Sequence, residues 1–137
     1  MTGPDVIAAL EKQTDDMVGD LEALVEAESP STDVASLRVC ADVIESIGQR
    51  LIGAPELLEV GDRTHVRWRG RDPKVLVLGH FDTVWPLGTI ARWGFDVSDG
   101  RATGPGIFDM KAGIIQGIYG LAQLSSLSGV EILFTGD

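Results

Sequence analysis

Cysteine is nearly absent from this chain: Cys40 is the one such residue among 137, so no disulfide framework can form within it. Cys40 sits in a helical pattern where a small buried hydrophobe is the ordinary role. Positive charge is scarce as well. Eleven basic residues face 21 acidic ones, giving a formal charge of -10 and a pI near 4.5, a balance that argues against a nucleic-acid backbone or an anionic membrane as partner. Apolar runs are short, none approaching the length of a bilayer span, and the opening MTGPDVIAALEKQTDD has neither a basic n-region nor an apolar h-region. A cytoplasmic location is the resulting expectation. There is no internal repeat and no low-complexity linker. With 44% hydrophobic residues, the length suits one globular domain with one core.

What is present reads as an α/β order. From Asp5 to Glu26 the residues Val6, Ile7, Leu10, Met17, Val18, Leu21, Leu24 and Val25 recur at helical spacing, which predicts one amphipathic helix. ESPSTD interrupts it. Ser31, Thr32 or Asp33 can cap a second helix with Val34, Leu37, Cys40 or Ala41, Ile44 and Ile47 as its buried stripe and Gly48 as its stop. ELLEVGDRTHVRWRG alternates as a hairpin turning at Gly61-Asp62, which sets Thr64, Val66 and Trp68 on one face and Arg63, His65, Arg67 and Arg69 on a solvated one. KVLVLG, Lys74 to Gly79, predicts a strand buried on both faces by helices. A short hairpin at Asp99-Gly100, a helical stretch from Lys111 to Leu127 and an apolar strand in VEILFTGD complete the order.

Chemistry concentrates at two places. Where the KVLVLG strand ends, His80 and Asp82 lie two residues apart, so on extended backbone they point to one side, beyond the carboxyl end of a strand, where open α/β sheets place ligands. A neutral imidazole is a metal ligand, and a neighbouring carboxylate can fix its tautomer. The plainer alternative is a histidine hydrogen-bonded to a turn-forming aspartate. The second place is GPGIFDMKAG, residues 104 to 113. As a dinucleotide fingerprint it fails, because Asp109 occupies the third glycine position and would repel a pyrophosphate. As a P-loop it fails too, since Lys111 stands between Met110 and Ala112, and Pro105 removes a donor. An aspartate on a glycine-rich turn before a helix can instead turn both oxygens outward and bridge two cations. It can equally cap that helix.

VLVLGHFDTVWPLGT, GRATGPGIFDMKAG and ILFTGD, in this order, resemble the M20 family of zinc metallopeptidases, nearest to its glutamate carboxypeptidase branch. The resemblance covers nearly the whole chain. It implies the first part of a catalytic domain over residues 1-137, a mixed sheet flanked by helices, with the rest of that domain and a lid domain lying beyond. It implies two zinc ions, with cobalt or manganese as substitutes. His80 would bind one zinc, Asp109 would bridge both, and Asp82 would serve catalysis by supporting the imidazole. The Asp109-Met110 peptide bond would be cis. Two glutamates that follow FTGD in the family, a general base and a further ligand, fall after Asp137.

The activity so implied is hydrolysis of a small peptide or N-acyl amino acid with release of a C-terminal residue such as glutamate, in a full-length form that pairs as a homodimer. The 137-residue chain itself is expected to bind zinc weakly and to turn nothing over. The alternative is a degenerate, non-catalytic α/β module that binds a metal or another ligand. Trp85, Pro86 and Trp93 are candidates to line the approach to the site, with loop packing as the plainer role. Val130 to Phe134 is expected at an unpartnered sheet edge.

Overall fold

The computed structural model describes residues 2–137. Three helices come first: α1 (Gly3–Glu11), α2 (Thr14–Glu26) and α3 (Val34–Leu51). The single helix expected over Asp5 to Glu26 is thus two. Between Leu10 and Met17 no apolar side chain demands an unbroken helix, and the Thr14 hydroxyl donates to the Glu11 carbonyl at 2.9 Å, a local bond that competes with the helical ladder. α2 buries Leu21, Leu24 and Val25. In α3, Asp33 is the N-cap, accepting from Ser36 N–H at 2.8 Å, and the stripe Leu37, Cys40, Ala41, Ile44 and Ile47 is buried as the periodicity predicts.

Gly48 does not stop α3. It lies inside the helix, where a Cβ would stand 2.0 Å from the ring of Trp68, so the missing side chain admits the indole. The chain leaves the helical path at Gly53, with φ of 104°, and the carbonyl of Gly53 accepts from Trp68 Nε1 at 2.6 Å.

β1 (Glu56–Val60), β2 (Arg63–Trp68), β3 (Val75–His80) and β6 (Val130–Thr135) form one sheet in the order β1-β2-β6-β3. β1 and β2 run antiparallel through the turn at Gly61, β2 and β6 are antiparallel, and β6 and β3 are parallel, so the sheet is mixed. The crossover from β3 to β6 carries a small hairpin, β4 (Asp96–Ser98) with β5 (Arg101–Thr103), a kinked turn over Ile107–Lys111 in which Asp109 and Met110 have non-helical backbone, and α4 (Ala112–Leu121). α4 is shorter than the stretch Lys111 to Leu127 suggests. Register sets Val66 opposite Phe134, Trp68 and Val77 opposite Ile132, and Gly79 opposite Phe134. That face packs with Leu24, Leu37, Ile44, Ile114, Ile115, Ile118 and Tyr119 into one core.

Three strand expectations change. β6 lies between β2 and β3, so Val130 to Phe134 is central and β3 is the edge. β3 is not buried on both faces: Leu76 and Leu78 are 55% and 60% exposed, because a run of apolar residues reports what a strand can bury and not what covers it. His65 is buried and not solvated, its Nδ1 accepting from Gly136 N–H at 3.3 Å as the chain end passes beneath it.

Candidate metal centre

The parallel pair β3 and β6 ends at His80 beside Thr135. From there the backbone is clamped on two sides. Phe81 N–H donates to Thr135 O at 2.9 Å, while Ser29 Oγ donates to Phe81 O at 2.6 Å and Thr83 N–H to Ser29 O at 2.8 Å. Phe81 is fully buried, which anchors the segment and turns His80 and Asp82 to the other side.

His80 is gripped at both ring nitrogens. Nδ1 lies 3.0 Å from Asp82 Oδ1, and Nε2 lies 3.0 Å from Asp109 Oδ1. The other oxygen of Asp82 accepts from Ser31 Oγ at 2.5 Å. Asp82 is thereby buried and fixed, whereas the Asp109 side chain is 79% exposed. Burial by itself would lower the pKa of His80. The hydrogen bond that Asp109 accepts from the protonated ring, followed by the charge of Asp82, outweighs it and raises the pKa.

Asp109 reaches this place through its loop. Gly106 has φ of 76°, and a Cβ there would stand 2.6 Å from Thr83 Cγ2, so glycine permits both the turn and the close approach. The Asp109-Met110 peptide bond is cis, as the family resemblance implied. Met110 Sδ accepts from His80 N–H at 3.4 Å. Asp109 is not a helix cap: Lys111 holds the N-cap position of α4, and the Asp109 carboxylate is directed at His80.

Two determinants were missed in the one-dimensional reading. Lys111, 1% exposed, donates from Nζ to Leu24 O at 2.7 Å and Ala27 O at 2.8 Å, tying the aspartate loop to the last carbonyls of α2. Its burial pulls its pKa down. Ser31 is the second, its partner lying 51 positions away. No local spacing signals either contact.

The donors present fit a first-row divalent ion. With bonds of about 2.0–2.2 Å, a tetrahedral ion holds two ligands about 3.3 Å apart, so the 3.0 Å separation of His80 Nε2 and Asp109 Oδ1 needs little opening. A neutral ring donating from Nδ1 to Asp82 leaves its Nε2 lone pair directed at that point. Among the described residues no three His, Cys, Asp or Glu side chains gather into a metal-holding group.

Residues 76–137 match the family described as Peptidase family M20/M25/M40. Carboxypeptidase G2 of Pseudomonas sp. (strain RS-16) is 31% identical over 103 residues, covering 71% of this chain and 25% of that protein. Among solved structures, human carnosine dipeptidase 1 superimposes with a TM-score of 0.71 at 19% identity, over 97% of this chain and 34% of its own. The di-peptidase Dug1p of Saccharomyces cerevisiae gives 0.68 at 17%, over 95% and 33%. The M20 family metallo-carboxypeptidase Sso-CP2 of Sulfolobus solfataricus gives 0.61 at 17%, over 85% and 30%. The sequence matches point to one protein family, and the superpositions show its fold. The chain belongs to peptidase family M20, and it spans a quarter of the length of its curated relative and about a third of the solved ones.

Proposed function

We propose that this chain contributes to a zinc-dependent hydrolase that cleaves the amide bond of a small peptide or N-acyl amino acid, in the manner of a carboxypeptidase releasing a residue such as glutamate. The carrying observation is the meeting of His80 and Asp109, 29 positions apart, at 3.0 Å, with Asp82 behind the imidazole. Relatives described as carboxypeptidase, metallo-carboxypeptidase and dipeptidase support the same reaction class.

In this reading His80 would bind one ion through Nε2, Asp109 would be the bridging carboxylate, and Asp82 would hold the imidazole in the tautomer that keeps Nε2 unprotonated. Bound zinc, or cobalt or manganese in its place, would polarise the scissile carbonyl and acidify water. The remaining donors, the general base, the lid domain and the homodimer contact come from outside these residues, and the working enzyme is cytoplasmic. Two donors do not close a dinuclear site, so the 137-residue chain alone binds metal weakly and is inactive.

Metal analysis after dialysis against micromolar zinc tests the site, with His80→Ala and Asp109→Ala beside the unaltered chain. Both variants are expected to lose the bound metal while keeping the far-ultraviolet circular dichroism of the parent. Unchanged metal content in both would remove the assignment. The shortage of donors within the chain favours one second reading, a non-catalytic module of the same scaffold. An extended polypeptide that binds two equivalents of zinc and hydrolyses N-acyl amino acids excludes that module, and one that binds a single equivalent without hydrolysis establishes it.

A further inference from the structure

Beside His80 and Asp109 the chain exposes aromatic surface of a kind that cores usually claim. Trp85 is 39% exposed, Trp93 42% and Phe108 99%. These side chains are not scattered. Trp85 and Trp93 meet edge to face with ring centroids 4.9 Å apart, and both line, with Phe108, the same cavity of about 310 Å³ that holds His80, Asp82 and Asp109. Past Trp93 and Phe108 a second cleft of about 540 Å³ continues along the small residues Ala112 and Gly113 at the start of α4.

The loop that carries the two tryptophans is set before any ligand arrives. The Glu28 carboxylate accepts from Gly88 N–H at 2.9 Å and Ile90 N–H at 3.0 Å. Thr89 Oγ1 donates to Pro86 O at 2.6 Å, and Trp93 N–H donates to Thr89 O at 2.9 Å. A side chain at position 28 thus pins both sides of the turn between Trp85 and Trp93. Rigid aromatic faces bind flat apolar groups without the entropy cost of ordering a loop.

Charge narrows the occupant. The residues lining the cavity include two carboxylates and no lysine or arginine. A free carboxylate on the substrate therefore finds no lysine or arginine to pair with on this wall, and the portion of the substrate resting here is the one without it. Resting on the peptidase reading above, we propose that Trp85 and Trp93 form the subsite for the acyl side of the scissile amide and select an aromatic or bulky apolar acyl group.

The two indoles supply their own reporters, and Trp68, buried with its Nε1–H bonded to Gly53 O, supplies the control. N-benzoylglycine and N-acetylglycine differ only in the acyl group. Titrated into the isotopically labelled chain with zinc present, the benzoyl compound is expected to shift the indole N–H resonances of Trp85 and Trp93, leave that of Trp68 in place, and bind about tenfold tighter than the acetyl compound. In Trp93→Ala the benzoyl preference is expected to fall toward one, and Trp93→Phe to keep most of it. Equal affinity for the two compounds, or an unaltered preference in Trp93→Ala, overturns the subsite. The preference is expected to survive in His80→Ala, where metal is lost. Metal loss with equal affinities would therefore sink the subsite alone, whereas unchanged metal content in His80→Ala with the preference intact would sink the peptidase reading alone.

Discussion

The Asp82 carboxylate joins two segments that are far apart in sequence: one oxygen lies 3.0 Å from His80 Nδ1 and the other accepts from Ser31 Oγ at 2.5 Å. The hydroxyl orients the carboxylate, and the carboxylate orients the ring. Asp82→Asn keeps the shape but loses the charge that favours a protonated Nδ1. Loss of such a support weakens metal binding by about 10- to 100-fold, and Asp82→Asn is expected to fall in that range. Ser31→Ala is expected to weaken it less, since the carboxylate keeps its charge. Competition against a chromophoric zinc chelator at fixed pH measures both, and an Asp82→Asn variant with the parent affinity would contradict the support role.

Without metal, the same cluster makes stability depend on pH in a direction that can be stated. The carboxylates of Asp109 and Asp82 raise the pKa of His80 above its ordinary 6.5, against the opposing effect of burial. A raised folded-state pKa adds stability that is complete below about 6.5 and disappears as the pH climbs through the folded value. The metal-free chain is therefore expected to show a higher Tm at pH 6 than at pH 8, by a margin larger than that of His80→Ala. Zinc reverses the sign, because the ion competes with the proton for the imidazole. Thermal melts of parent and variant with and without chelator check this, and equal pH responses in the two chelated proteins would refute it.

Much of the scaffold was legible because burial imposes a period. The α3 stripe from Leu37 to Ile47 repeats at helical spacing because that face meets the core, and Gly61 marks a turn because φ there is 64°. Exceptions arise where tertiary contacts decide. Gly48 reads as a helix stop until Trp68 is seen lying against it. The residues of β3 are as apolar as those of a central strand, yet pairing order, which no single strand encodes, puts it at the edge. At the site, the i, i+2 spacing brought His80 and Asp82 together on local grounds. Asp109 joined them only through the family resemblance, since 29 positions separate it from His80. Ser31 and Lys111 act through hydrogen bonds spanning 51 and more than 80 positions, where neither periodicity nor a short motif carries information.

Lys111 fastens the aspartate loop to α2. Its ammonium is buried and donates to two main-chain oxygens, Leu24 O and Ala27 O, at the end of α2. Those carbonyls have no continuing helix to satisfy them, and the negative end of the helix dipole favours a cation there. Lys111→Met fills nearly the same space but leaves both oxygens without their donor. An unsatisfied buried group costs about 1–3 kcal/mol, so a loss of roughly 2–4 kcal/mol is expected for the pair after partial relaxation. Asp109 lies two residues upstream on the same turn, and its position opposite His80 depends on where Lys111 is tied. Lys111→Met is therefore expected to weaken zinc binding beyond what unfolding explains, when affinity is measured well below the variant's own melting temperature. Urea titration gives the stability loss and calorimetry the affinity. A variant that is destabilised but binds zinc like the parent would separate the two roles and leave Lys111 a fastener of α2 alone.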